Sequence, residues 1–476
     1  MNNTNPFNVR LASATITKFN GTDKLDITPQ VAEFTLYQSI FSSILRADMA
    51  ITDHIGLMNN YPLTGEEIVE VVIEQKSDTT SNFGTSTKTL KFVVTAIKDI
   101  AYNDTARHTV YAIELASMEA FTNAKTRVSH AYEGDILKII KELYDTYLKS
   151  VKVLKSYNGA SIKSRSLVIP NLKPLDALNW LCKYAIDETG NYYTFAFYET
   201  IEGFTFKALQ KPTFRDAEDN NALVNAAKER YIYVSNLENI LKDQELYNKF
   251  IQDGYSDVRT VNDLKVNKRY TTLEKIIGGY FENEIVEVNM HQKDHKITKS
   301  DITYNVDPRS RGKQGFGVLG QSNYNTKDYI KNIIDEYTEE ETSPRVRYVV
   351  NNYDDLNQPS IRDKFGNSSR SFLAYMQVDL SAAIHSNMDN RVGDIMYLDI
   401  PESHGFNITS KPDKFVSGYF LVSEIKTVIR NGGYSQSYIR LNKDGFNNSI
   451  DIKSLYDLQS PVDRSQDRVL NRASGV

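Results

Sequence analysis

The chain holds a single cysteine, Cys182, among 476 residues. One thiol can neither close an internal disulfide nor build a cysteine-cluster metal site, so packing and subunit contact must hold the protein together. Long apolar runs are also missing. No stretch of about 18 apolar residues is available to cross a bilayer as a helix, and a mean hydropathy of −0.45 with 25% charged residues predicts an ordinary soluble chain without stable membrane insertion. The segment from Met1 to Phe7 has neither a basic n-region nor an apolar h-region, which predicts synthesis in a cytoplasm. Concentrated positive charge is lacking as well. A net charge of −5 and a pI near 5.9 argue against a protein that grips phosphates. The one tryptophan, Trp180, argues against a carbohydrate-binding module, whose sugar platforms favour several exposed aromatics.

Tyrosine is present in quantity, at 30 residues. Its apolar ring and hydroxyl tip suit protein interfaces, although a β-rich chain is tyrosine-rich for structural reasons too. The length predicts three or four domains. From Leu11 to Ile51 short β-branched runs alternate with polar residues: Ala14 to Phe19 leads into the turn dipeptide Asn20-Gly21, and Phe34, Leu36, Ile40, Met49 and Ile51 mark further strands. Ile68 to Gln75, Leu90 to Ile100 and Thr109 to Leu115 complete the set, with Lys76 to Lys88 reading as a loop. Short strands with frequent turns predict a sandwich or barrel of about 115 residues.

An internal repeat stands at an offset of 328. Gly65-Glu66, Phe92 to Ile100 and Asn103 are mirrored by Gly393-Asp394, Phe420 to Val428 and Asn431, sharing a Phe-x-Val-Thr/Ser-x-Ile-Lys core. No stretch ahead of Ser371 matches residues 11 to 51 by residue type. Between the copies, Ile136, Ile139, Ile140, Leu143 and Tyr147 share one helical face, as do Leu175, Leu178, Leu181, Cys182 and Ala185 behind Pro174. Tyr192 to Tyr198 and Phe204 to Leu209 read as a hairpin, and Glu284 to Met290 with Lys296 to Tyr304 as another.

Catalytic and cofactor motifs carry little. Gly315-Phe316-Gly317-Val318-Leu319-Gly320 matches the dinucleotide-binding pattern, but Asp307 to Lys313 ahead of it is no buried strand, so a surface loop is the reading and no cofactor is expected. His291 and His295 have a spacing used by zinc on helices, yet they span a turn between strands and lack a third ligand. Cys182 on an apolar helix face reads as a small hydrophobe. Glu66-Glu67, Asp354-Asp355 and the acidic run Glu339 to Glu341 show no general acid/base geometry, so no catalytic residues and no metal ligands are assigned. At the C-terminal end, Arg464, Arg468 and Arg472 recur every fourth residue and would align on one face if the polar arm became helical against a partner.

Pro174-Leu175-Asp176-Ala177-Leu178-Asn179-Trp180-Leu181-Cys182, then Tyr193 to Thr200 and Gly203 to Phe206, resembles the stretch shared by phage baseplate hub proteins, late-control tail proteins and type VI secretion spikes. Asp26 to Tyr37, Pro62 to Glu67, Gly279-Tyr280-Phe281 and Gly418 to Ser423 are similar to hub subunits of large contractile-tailed phages. The resemblance implies a mainly β, multidomain chain with two tube-type β-barrel or sandwich domains and an α+β insert. It divides the chain into 1–118, a first tube-like domain; 119–215, the α+β hub domain; and 216–304 with 370–446, a second tube-like domain. Residues 305–369 are then an insertion and 447–476 a C-terminal arm. It also implies a non-enzymatic homotrimer with pseudo-sixfold symmetry, with the tail tube stacked on one side and a central spike on the other. Baseplate wedge proteins are then further partners, DNA passes through the lumen without specific binding, and the location is a virion tail assembled in the host cytoplasm. The arm bearing Arg464, Arg468 and Arg472 would grip the spike. No needle sequence follows Leu441, so the spike would be a separate chain. The alternatives are the hub of a type VI or extracellular injection system and a tail-associated cell-wall hydrolase.

Overall fold

The computed structural model describes residues 7–18, 24–77, 85–103, 108–156, 165–186, 194–209, 219–234, 237–253, 259–269, 272–279, 282–289, 293–301, 346–350, 378–402 and 416–443, with Gly21, Thr213, Tyr255, Pro412 and Asp413 besides. The chain is mainly β and multidomain, as its short alternating runs predict. The first strands are β1 (Phe7–Thr17), β2 (Lys24–Asp26), β3 (Val31–Ser39), β4 (Arg46–Asp53), β5 (Ile68–Ser77), β6 (Thr85–Asn103) and β7 (His108–Ser117). The turn at Gly21 closes β1 onto β2, with Thr15 opposite Asp26. Beyond that hairpin β1 pairs along its length with β5, a partner over fifty residues away. The loop expected from Lys76 to Lys88 is shorter than predicted: Thr85 to Lys88 already belong to β6 and pair with Ile73 to Lys76, because the threonines of this stretch suit a pleated surface.

The α+β insert carries β8 (Val128–Gly134), β9 (Leu154–Ser156), β10 (Arg165–Leu172), β11 (Phe195–Thr200) and β12 (Gly203–Ala208). Its first amphipathic helix, Ile136–Leu143, is capped by the Asp135 carboxylate, which accepts from Leu137 N at 3.2 Å, and runs on as a π-helical turn, Tyr144–Leu148. The second, Pro174–Cys182, buries Leu175, Ala177, Leu178, Leu181 and Cys182 against Phe197, Phe204 and Phe206 of the β11–β12 hairpin. Cys182 is thus a core residue.

The remaining strands are β13 (Tyr231–Tyr233), β14 (Thr260–Arg269), β15 (Glu282–Asn289), β16 (Asp294–Asp301), β17 (Val346–Val350), β18 (Val378–His385), β19 (Ile395–Asp399), β20 (Gly418–Arg430) and β21 (Ser435–Lys443). The β15–β16 hairpin forms as expected, but it pairs with β17 in a three-stranded sheet of its own. The other six, β19-β13-β14-β18-β21-β20, close on themselves because β19 also pairs with β20. In the first copy β1-β5-β6-β7-β4-β3 follow one another in the equivalent order, without a β1–β3 pairing among the described residues.

The repeat is therefore structural. A register shift falls between Val94 and Ala96 in β6 and between Val422 and Glu424 in β20, 328 residues on. In each case the bulged hydroxyl residue donates across the ladder: Thr95 Oγ1 to Glu114 O, and Ser423 Oγ to Arg440 O, both at 3.1 Å. That explains why threonine or serine recurs at this place, since the extra residue of a bulge leaves a carbonyl needing a partner. Gly65 and Gly393 hold φ of 88° and 84°, so both turns need a residue that tolerates the left-handed region. The missing half of the second copy is also present. β14 takes the place of β3 and β18 that of β4, unreadable by residue type because β14 is largely hydrophilic.

Candidate assembly interface

The two copies meet through one strand pairing. β3 lies antiparallel to the C-terminal half of β20, with Ser39 opposite Glu424, Lys426 opposite Tyr37, Thr427 opposite Leu36 and Arg430 opposite Glu33. β20 is long enough for two jobs: Gly418 to Leu421 close the second barrel against β19, and Glu424 to Arg430 extend past it to hold β3. Leu36, Val428 and Ile429 are buried there, and Ile40, at the end of β3, packs into the second core. Lys426 Nζ stands 5.7 Å from the centre of the Tyr37 ring, and Arg430 Nε donates to Glu33 at 2.8 Å. The exposed ion pair adds little, so buried ladder and apolar contacts hold the junction.

The α+β insert clamps the same two copies. Glu202, at the tip of the β11–β12 hairpin, pairs with Lys88 of the first at 3.0 Å and Arg391 of the second at 2.9 Å. Asn179 Nδ2 donates to Ser43 Oγ at 2.6 Å, while the buried Lys207 Nζ donates to Gly393 O and Thr213 Oγ1. Gln75 of β5 accepts from Met388 N at 2.7 Å.

Glu67 organises the turn after Gly65. It accepts from Lys18 Nζ at 2.9 Å, Thr64 N at 2.8 Å and Gly65 N at 3.0 Å, with no side-chain surface exposed. Burial by itself raises its pKa, but the Lys18 and backbone N–H bonds outweigh it and hold the carboxyl at about 2. A depressed carboxylate pKa stabilises the fold above the unfolded value, near 4.5, and that contribution disappears as the pH falls towards 2. Glu67→Gln is expected to cost about 2 kcal/mol at pH 7, with the gap to the parent closing between pH 4.5 and 2 in urea titrations. A gap unchanged across that window refutes this role.

The candidates marked in the sequence fall mostly elsewhere. Arg464, Arg468 and Arg472 lie outside the described residues, as do His291, Asp354-Asp355, Glu339 to Glu341 and the glycine run Gly315 to Gly320. His295 is exposed in β16, and no cluster of three metal-ligating side chains occurs among the described residues. The structure does bring His54 and His108 together, ring centres 5.2 Å apart. No sequence motif marked that pair, whose strands meet only through the β4–β7 pairing.

Two edges deserve comparison with the junction. The part of β6 equivalent to Glu424–Arg430 is Ala96 to Asn103, one residue longer because of a bulge, and β14 is the counterpart of β3. No described strand pairs with the outer side of that part of β6, or with that of β14 beyond Val261, where β13 ends its pairing. Tyr102 is 76% exposed where its counterpart on the ladder, Ile429, is 1%, and Val266 is 43% exposed where Leu36 is 0%. Sequence reading missed both edges, since Lys265, Val266, Asn267 and Lys268 look like an ordinary solvated stretch.

No protein-family model matches the chain, and no curated protein sequence does. Solved structures do. The 43 kDa tail protein of prophage MuSo2 from Shewanella oneidensis is similar at a TM-score of 0.50 and 8% identity, over 91% of this chain and 99% of its own. A tail protein from Neisseria meningitidis MC58 has a TM-score of 0.49 at 10% identity, over 91% and 97%. An E. coli component of the type VI secretion system, described as similar to the T4 phage tail proteins gp27 and gp5, has a TM-score of 0.39 at 10% identity, over 93% and 79%. Identities this low speak of fold alone. The resemblance to tail proteins carried by Pro174 to Cys182 and the stretches named with it is matched at that level: this chain has the fold of the MuSo2 prophage tail protein.

Proposed function

We propose that this chain is a structural subunit of a phage tail, a baseplate hub whose three copies form a pseudo-sixfold ring between the tail tube and a central spike. The observation that carries this reading is the β3–β20 junction between two copies of one strand order, the second of them closed into a barrel. A head-to-tail contact of this kind uses different surfaces on its two sides, so repetition generates a closed ring or a filament. With two barrels per chain, three chains present six similar staves while keeping true threefold symmetry for a threefold spike. The division into two tube-like domains, an α+β hub domain, the 305–369 insertion and the 447–476 arm belongs to the same proposal, with Arg464, Arg468 and Arg472 facing the spike. The chain supplies architecture and no catalysis. Its net charge of −5 suits a lumen through which DNA passes without being held.

The test is native mass measurement of the full chain, with and without the spike protein of the same particle. A species of three times 54.2 kDa is expected in at least the second state. A monomer in both overturns the proposal. Capsid genes beside the coding sequence distinguish a phage hub from the hub of a secretion device.

A further inference from the structure

The pairing that joins the two barrels within one chain is written twice into the molecule, but satisfied once. Its first instance is β3 against β20. The second can be placed residue by residue, because each junction strand is reached by the same path across its barrel. In the first copy Val94 lies opposite Leu115, Leu115 opposite Ala47, and Ala47 opposite Leu36. In the second, Val422 lies opposite Leu441, Leu441 opposite Leu380, and Leu380 opposite Val266. Leu36 and Val266 therefore occupy the same position, as do Thr427 and Asp99, 328 residues apart. Thr427 faces Leu36 in the junction. Carried over rung by rung, the place shared by Asp99 and Ile100 in one chain faces Val266 of another, Lys98 faces the rung of Asn267 and Lys268, and Asn103 faces Asp263.

We infer that the β6 edge of one copy of this chain, Ala96 to Asn103, pairs antiparallel with the β14 edge of a second copy, Asp263 to Arg269, in this register. The inference rests on the ring reading above and names the surfaces that close it.

An independent feature supports that register. β6 has a second irregularity, which β20 lacks: Lys98 faces Ala112 while Ala101 faces Val110, so Asp99 and Ile100 share one place on the ladder, with Asp99 at φ 53°. β14 also carries one, which β3 lacks at that position: Val266 faces Leu380 and Lys268 faces Asp379, leaving Asn267 as the extra residue. The proposed pairing brings these two bulges to within one residue of each other. A single bulge on one edge throws the ladder out of step and turns the following side chains to the wrong face, whereas one on each edge at the same rung keeps it in step. The bulges thus match the β6 and β14 edges to one another. They also blunt both edges in the isolated chain, together with the exposed Lys265 and Lys268, as edge strands that must not pair indiscriminately require.

Antiparallel partners stand about 4.5–5.5 Å apart at Cα, within the span of a disulfide. The test is the full chain carrying Lys98→Cys and Asn267→Cys under mild oxidation, with and without the spike protein of the same particle, read by non-reducing electrophoresis and native mass. Both positions are exposed, so folding is retained, and thermal melts check it. Linked species ending at three chains are expected, at least 10-fold more abundant than for Lys98→Cys with Asp263→Cys, four residues out of register. Equal linking by the two pairs overturns the register. A dimer from Asn267→Cys alone overturns the head-to-tail pairing in favour of a twofold one. A trimer by native mass that never links at Lys98 and Asn267 overturns this inference while leaving the ring intact, and absence of both trimer and linkage with the spike protein present overturns the two together.

Discussion

Gly393→Ala is expected to cost about 3–5 kcal/mol, most of it from a clash rather than from the backbone. At φ 84° an alanine carries left-handed strain of about 1–2 kcal/mol. A Cβ there would also overlap the Tyr198 hydroxyl, with Tyr198 Cζ at 2.9 Å and Lys207 Cε at 3.3 Å. Tyr198 and Lys207 are each 1% exposed, so neither can swing away. Gly65→Ala is the internal control. It holds the equivalent turn at φ 88°, and a Cβ there meets nothing within 4 Å. It should lose only the backbone part, about 1–2 kcal/mol. Urea midpoints of the two variants measure the difference directly. Equal losses would show that the α+β insert does not brace the second barrel at Gly393.

The second large effect is expected at Glu199. Its carboxylate is fully buried, accepts from Leu45 N at 2.8 Å and pairs with Lys152 Nζ at 2.5 Å, while Lys152 also reaches Glu119 at 2.6 Å. Burial raises the pKa of Glu199 against the opposing pull of the Lys152 charge; burial also disfavours the charge on Lys152, but there the two carboxylates outweigh it and raise the pKa above 10.5. A raised lysine pKa contributes stability that is complete below 10.5 and fades as the pH climbs through the folded value. Glu199→Ala removes the carboxylate from a buried pair and orphans the Leu45 N–H, at a cost of about 3–5 kcal/mol. Glu199→Gln keeps an acceptor for Leu45 and should lose about half as much. Thermal unfolding of both variants at pH 7 and pH 11 provides the check, with the gap to the parent narrowing at the higher pH. A change below about 0.5 kcal/mol for Glu199→Ala would mean that the insert is held by its apolar contacts alone.

Both residues belong to the layer that joins the barrels, and neither was visible as such in the sequence. Glu199 stands in a hairpin of ordinary alternation, and its partner Lys152 lies 47 residues away in a stretch without pattern. Gly393 was visible as a repeated turn glycine. What presses on it, Tyr198, was not. The tyrosines divide in the same way: Tyr111 and Tyr198 are core residues, while Tyr102, at 76% exposed, stands on an unpaired edge. Residue type alone could not tell these apart.

The sequence by itself determined the mainly β character, the short strands of the first copy, the two amphipathic helices and the duplication at an offset of 328. Those depend on alternation, capping and turn chemistry, which act between residues near one another in the chain. Tertiary structure decided that the copies join through β3 and β20, that β14 completes the second barrel, and which edges remain exposed. The physical reason is that a strand's partner is chosen across the ladder. Apolar residues at every second place announce a strand that covers a core, but an edge awaiting another chain must remain hydrophilic, and Lys265 to Lys268 could be seen as half of a junction only once their counterparts in β3 lay beside β20.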